Sequence, residues 1–116
     1  MVSDGSLGPF ATRPASRATF SPHQGTKADL FRGDHLFLGL NSFEPGQTQP
    51  VHAHQGADKF YLIVSGKARM SVDGREWVAS EGDLIWAPAD VLHGVVSALE
   101  RTVMLVGIAP GPRPRR

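Results

Sequence analysis

Two histidines one residue apart, His52 and His54, are the residues of this chain whose type and spacing first point to chemistry. Side chains of an extended strand alternate between faces, so imidazoles at i and i+2 point the same way. Two ring nitrogens on one face can converge on a single metal ion. A polar strand surface carries the same spacing, so the pair by itself leaves both readings open. A third histidine, His93, lies in a second polar island, after the apolar Leu84-Ile85-Trp86-Ala87 and just before Val95-Val96. Strands far apart in sequence can be neighbours in a closed antiparallel barrel. Three imidazoles from two such strands would leave positions open on a metal, as catalytic sites do and closed structural sites do not. His23 and His35 have no partner at such spacing and read as surface or core residues.

The segments around these histidines must position them, and they read as strands. The run Phe60-Tyr61-Leu62-Ile63-Val64 is a buried strand by its apolar continuity. Before the histidines, Ala15 to Phe20 is compatible with a short strand. Thr26 to Arg32 and His35 to Phe43 form a hairpin with Gly33-Asp34 as its turn. Leu36, Leu38 and Leu40 share one face of that second strand and Phe37 and Phe43 the other, which predicts cover on both sides. Glu44-Pro45-Gly46 is turn chemistry, since proline fixes φ and glycine accepts positive φ. After Gly66, Ala68, Met70 and Val72 alternate with Lys67, Arg69 and Ser71. Asp73-Gly74 is the strongest hairpin signal, with Arg75 to Ala79 returning. Leu84 to Ala87, Val91 to Val96 and Thr102 to Ile108 complete the set. Turns recur every few residues and no segment has a helical period, so roughly nine to eleven short strands imply an all-β sandwich or barrel. Gly46, Gly66 and Gly82 read as turn residues, not as phosphate cradles.

Composition narrows the function classes. The 116 residues include 13 glycines and 9 prolines, enough chain for one domain with a real core and a balance suited to short strands and tight turns. No cysteine is present, which excludes a disulfide framework, a zinc-thiolate site and a thiol nucleophile. Three of the 12 Lys and Arg residues, Arg113, Arg115 and Arg116, fall at the C-terminal end, so the body is slightly acidic and has no electrostatic footprint for nucleic acid. No apolar run approaches a membrane span, and no signal core precedes the first strand. The expectation is a soluble cytoplasmic protein with a flexible arm at 1–14, one barrel domain at 15–110 and a basic tail at 111–116.

Two spaced patterns carry a family resemblance. The first is Gly46, QTQPV, His52-Ala-His54, QGAD, Lys59, FYLIVS, Gly66; the second is Gly82, DLIWA, Pro88-Ala-Asp90, VL, His93, GVV, Ser97. In this order, a hairpin apart, they resemble the two motifs of the cupin superfamily across about residues 35 to 108. They depart from it in three slots: Lys59 stands where the family has glutamate, Asp90 where it has glycine, and Ser97 where it has asparagine. The resemblance implies a double-stranded β-helix, or jelly-roll, barrel of the small single-domain cupin type. It also implies His52, His54 and His93 as ligands of one divalent transition metal per chain: iron, zinc, manganese or nickel.

The glutamate slot shapes the functional expectation. A protonated lysine beside a dication is repelled, so Lys59 is not expected to ligate. It is expected to hold a substrate carboxylate or to pair with Asp58 or Asp90. Asp58 should face away from Lys59 unless a bulge turns it inward, where it too would contact the substrate. Tyr61 and Ile63 share the parity of Lys59 and should line the interior, where Tyr61 could donate to a ligand or sit satisfied in the core. Trp86 and Phe43 read as an aromatic wall or plain core. Trp77 reads as a face packed against a second subunit, since small cupins are commonly homodimers. The expected partner is a small polar organic molecule, with no nucleic acid and no membrane. Function then divides between a three-histidine Fe(II) dioxygenase, a non-catalytic binding or sensing module with a structural metal or none, and a metal-dependent isomerase or lyase.

Overall fold

Glycine and proline punctuate the chain, and the stretches between them are extended. The computed structural model describes residues 5–112. Among these lie nine strands: β1 (Thr26–Arg32), β2 (Phe37–Phe43), β3 (Gln49–His52), β4 (Asp58–Ser65), β5 (Lys67–Val72), β6 (Arg75–Ser80), β7 (Leu84–Ala87), β8 (His93–Ala98) and β9 (Thr102–Ala109). All pair antiparallel, in a five-stranded sheet of order β1-β2-β9-β4-β7 and a four-stranded sheet of order β3-β8-β5-β6. This is the jelly-roll predicted from the sequence. No helix among the described residues is long and apolar enough to cross a membrane.

Period-two alternation sorts the side chains between the core and the outside. On β4, Lys59, Tyr61 and Ile63 point inward and are buried, while Phe60, Leu62 and Val64 are only partly covered. Ala68, Met70 and Val72 of β5, and Met104, Val106 and Ile108 of β9, meet them in one core. On β2, Phe43 joins that core, and Leu40 on the opposite face is also buried, as two-sided cover requires. Gly107 of β9 sits under the ring of Phe60, its register partner on β4, which occupies the space a side chain would need.

Four local expectations are corrected. Ala15 to Phe20 holds no strand: Pro14–Arg17 is a turn of 3-10 helix with proline at its start, lying against β4. Proline presets the helical φ and lacks the N–H a ladder needs. The turn after β1 spans four residues, closed by the Gly33 N–H donating to Leu36 O at 2.9 Å, so β2 starts at Phe37. β8 starts at His93, because Val91 is held in a turn by its N–H to Pro88 O at 3.2 Å. Trp86 is 57 % exposed, on the outer face of edge strand β7 beside Leu84, and forms no inner wall. Its even parity turns it outward, while Ile85 and Ala87 point in. The Asp73-Gly74 hairpin forms as expected, with φ of 52° and 75° joining β5 to β6. The basic tail from residue 113 onward and the first four residues of the expected arm lie outside the described residues.

Turn glycines differ in what surrounds them. Gly66 (φ +89°) would place a Cβ against Arg101 O and 2.7 Å from Thr102 Cα, whereas Gly82 (φ +88°) faces open space. Gly66→Ala therefore combines left-handed strain with a backbone clash and should lose about 2–4 kcal/mol of stability. Gly82→Ala carries only the strain and should lose about 1 kcal/mol. Urea unfolding of the two variants measures the difference.

Candidate metal centre

The strand order makes neighbours of the two histidine motifs. β3 pairs with β8, and His52 is the direct register partner of His93, so both imidazoles project from one face. The approach is close. A Cβ on Gly94 would lie 2.7 Å from Gln49 O and 3.0 Å from Val51 N, so only glycine lets β3 sit down on β8 at this point. His54 lies two residues past His52, just beyond the end of β3, and keeps the same side.

Hydrogen bonds at the outer nitrogens set the tautomers. His52 Nδ1 is 2.8 Å from Pro50 O and His93 Nδ1 is 3.0 Å from Val91 O. A carbonyl only accepts, so each Nδ1 carries the proton and each Nε2 presents a lone pair. The Nε2 atoms of His52 and His54 are 3.3 Å apart, and candidate ligand atoms of all three residues lie within 4.8 Å of one another. Nitrogens bound to one ion at about 2.0–2.1 Å stand roughly 3.0–3.4 Å apart at tetrahedral to octahedral angles. His93 Nε2 is buried without a hydrogen-bond partner, a rare condition for a buried polar atom. These three side chains therefore fit a transition-metal ion, and carbonyl-anchored imidazoles are the support such ligands ordinarily have.

Electrostatics favour the neutral form of His54 and His93. Burial, followed by the charge of Lys59, lowers the His54 pKa to about 4. Burial is also the main cause that lowers His93, opposed by its hydrogen bond to Val91 and assisted by Lys59.

Two carboxylates tie the motif loops together. Asp90 has φ of 67°, a left-handed conformation that aspartate tolerates better than most residues, so it fills the family's glycine slot at modest strain. Its N–H donates to His54 O at 3.0 Å, and its Oδ1 accepts from Gly56 N at 3.1 Å. Asp58 Oδ1 accepts from Ala89 N at 2.9 Å. These bonds fix the loop bearing His54 to the loop leading into His93. Asp58 thus points out of the cavity, and its expected contact with substrate is corrected: it is exposed, with the parity opposite to Lys59.

Lys59 does point inward. It is 3 % exposed, its Nζ lies 4.5 Å from the centre of the Tyr61 ring, and no described carboxylate pairs with it. The expected pairing with Asp58 or Asp90 is corrected, since both carboxylates are engaged by backbone N–H groups. Burial, with Lys27 second, lowers the Lys59 pKa to about 8. An ammonium seated on an aromatic face does not fit the fourth ligand position. Tyr61 is fully enclosed, its hydroxyl donating to Gln49 Oε1 at 2.6 Å, so it is a satisfied core tyrosine and not a free donor. His23 and His35 are exposed, away from the three histidines.

His52, His54 and Lys59 share the lining of a cavity of about 90 Å³ with Lys27, Phe37 and Asn41. On one side His54 borders an open vestibule of about 380 Å³ walled by Pro110 and Pro112. On the other, Lys27 and Asn41 border a cleft of about 200 Å³ that also contains Gln49. Lys27, Asn41 and Gly94 are not singled out by spacing. The one available signal is Asn41, which with Ser42 interrupts a mainly apolar strand.

The Cupin domain family matches residues 39–108, more than half of the chain, and the protein belongs to that family. Among known relatives it is 26% identical over 88 residues to an uncharacterized protein of Streptomyces coelicolor, covering 76% of this chain and 83% of that one. It is also 26% identical over 77 residues to the pectin degradation protein KdgF of Dickeya dadantii, covering 66% and 70%. Among solved structures, TT1209 from Thermus thermophilus has a TM-score of 0.80 at 31% identity, over 86% of this chain and 97% of that one. KdgF from Halomonas sp. has a TM-score of 0.72 at 21% identity, over 78% and 88%, a likeness of fold.

The lowered histidine pKa values give a pH dependence of defined sign. In metal-free protein, His54 and His93 bind protons more weakly folded than unfolded, so their contribution is complete above pH 6.5 and falls away below it, that of His54 as the pH falls towards about 4. Urea midpoints should therefore drop through this window, and His54→Ala should flatten the drop. An unchanged slope in that variant would remove His54 from the account.

Proposed function

We propose that the protein is a metal-dependent cupin acting on a small polar organic molecule, with His52, His54 and His93 as the ligands of one divalent transition metal. The observation that carries this is the convergence of three imidazoles within 4.8 Å of one another beside the cavity, with the His93 Nε2 lone pair buried and otherwise unsatisfied. Three protein donors leave coordination positions open towards the cavity, where a bound metal would supply Lewis-acid polarisation of a substrate oxygen. The chain's own residues do the rest. Asp90 and Asp58 hold the histidine loops in place, Gly94 keeps the two histidine strands in contact, and Lys59 presents a fixed positive charge opposite the histidines.

A redox-neutral isomerase or lyase is the reaction class favoured by the cation in the glutamate slot. A negative ligand stabilises a higher oxidation state of a bound metal, and a neighbouring ammonium opposes it. The relative in pectin degradation also supports small-carbohydrate chemistry for this chain. The second reading is a three-histidine Fe(II) dioxygenase, favoured by the open face of the triad. A homodimer belongs to the proposal as well, with Trp77, 37 % exposed on edge strand β6, as its marker. Light scattering of wild type and Trp77→Ser compares the two states.

Purified protein should contain close to one metal per chain by elemental analysis, and His93→Ala should lose it. Asp90→Gly keeps the left-handed backbone but removes the carboxylate tie, and should weaken metal affinity about 10- to 100-fold with the fold retained. Wild-type protein that takes up no iron, zinc, nickel or manganese would end the metal reading. With iron bound, oxygen consumption on a panel of diketones and phenolic acids would favour the dioxygenase. Turnover without oxygen would favour the isomerase or lyase, and ligand binding without turnover the sensor.

A further inference from the structure

Lys59 is the only lysine or arginine buried among the described residues, and it has no counter-ion there. The Tyr61 ring offsets part of the cost of that arrangement, but an unpaired buried charge is among the most destabilising features a fold retains. A second cation faces the same cavity. Lys27 on β1 is the register partner of Asn41 on β2, so the two side chains share one face, with Lys27 exposed at the rim of the cavity. Asn41 is 5 % exposed, and its amide makes no hydrogen bond with a described residue. The one carboxylate lining this cavity, Asp29, is exposed and paired with Arg32 at 3.2 Å. The wall opposite the histidines therefore has two ammonium groups and an amide, with no protein anion assigned to them. Lys27 contributes to lowering the Lys59 pKa, in keeping with two cations facing one space.

We propose that Lys59, Lys27 and Asn41 form a carboxylate clamp, and that the ligand of this cavity is a hydroxy- or oxo-carboxylate lying between the two sheets. Its carboxylate meets the clamp on the β1-β2-β9-β4-β7 sheet, and its hydroxyl or carbonyl oxygen faces the histidines on the β3-β8 side. The second half rests on the metal reading above; the clamp itself does not. A carboxylate suits the site better than a phosphate: two ammonium groups and one amide match two acceptor oxygens, and the cavity of about 90 Å³ has room for roughly three waters. The remainder of a larger molecule would extend past Lys27 and Asn41 into the cleft of about 200 Å³. Pectin is a polymer of uronic acids, so the relative named for its degradation fits the same chemistry.

The test uses the full chain with its metal content measured, and calorimetric titration with galacturonate, lactate and malonate against methyl galacturonate, galactose and inorganic phosphate. At least one carboxylate should bind, with its ester or neutral analogue about tenfold weaker or worse, and Lys59→Met should lose about tenfold at unchanged metal content. A ligand-independent readout accompanies this. Lys59→Met replaces an unpaired buried cation by an apolar side chain of similar length, so the melting temperature of ligand-free protein should rise. A fall in that temperature, equal binding of acid and ester, tighter binding of phosphate, or no binding by any of the carboxylates would each overturn the clamp. Carboxylate binding by metal-free wild type would support the clamp and count against the metal reading. A metal-loaded protein indifferent to the carboxylate would do the reverse.

Discussion

The pairing of β3 with β8 is the constraint on which the site depends. It brings together residues from the two sequence motifs and sets His52 directly opposite His93. The contact tolerates no side chain at Gly94, where β3 backbone fills the space a Cβ would need. Everything else about the triad follows from this seam. His54 inherits its side from the i+2 spacing, and the outer nitrogens of His52 and His93 find the carbonyls two residues before them, on β3 and on the turn into β8. The inner nitrogens are left to face one another across a few ångströms.

The second constraint is electrostatic. Where the family places a carboxylate, this chain buries an ammonium. The change reverses the sign of the site: three imidazoles, two lysines, and a lone carboxylate already engaged outside with Arg32. Burial favours the neutral forms of His54 and His93, and Lys59 reinforces this, so the cation that rules out a fourth protein ligand also helps to keep two of the imidazoles available as ligands. A cavity of this kind is completed by an anion from solution, and its selectivity lies in the lysine wall more than in the histidines.

The acidic residues near the site act as fasteners. Asp58 and Asp90 each accept from a backbone N–H of the opposite motif loop. They look from sequence like partners for Lys59. Backbone donors take them instead, because strand parity turns Asp58 outward and the positive φ of Asp90 aims its carboxylate at the Gly56 N–H. Trp86 misleads for the same reason. Its aromatic character suggests the interior, but its parity on β7 sends it to solvent, and on a strand parity decides the face.

Sequence alone determined the architecture and the identity of the three histidines, because both are encoded in short-range regularities: period-two alternation, turn residues at fixed places, and two motifs of fixed spacing. Local chemistry also decided where β4 to β7 begin and end, to within a residue or two. The short 3-10 turn at Pro14–Arg17 and the late start of β8 escaped it, since there a single hydrogen bond or a proline outweighs propensity. Only the tertiary structure decided the wall across from the histidines. Lys27 and Asn41 belong to strands distant in sequence from His52, His54 and His93, and they carry no motif. They face the triad because β1 and β2 close the five-stranded sheet over the cavity. The same closure removes water and carboxylates from around Lys59, and turns a solitary departure from the family pattern into a buried charge in search of an anion.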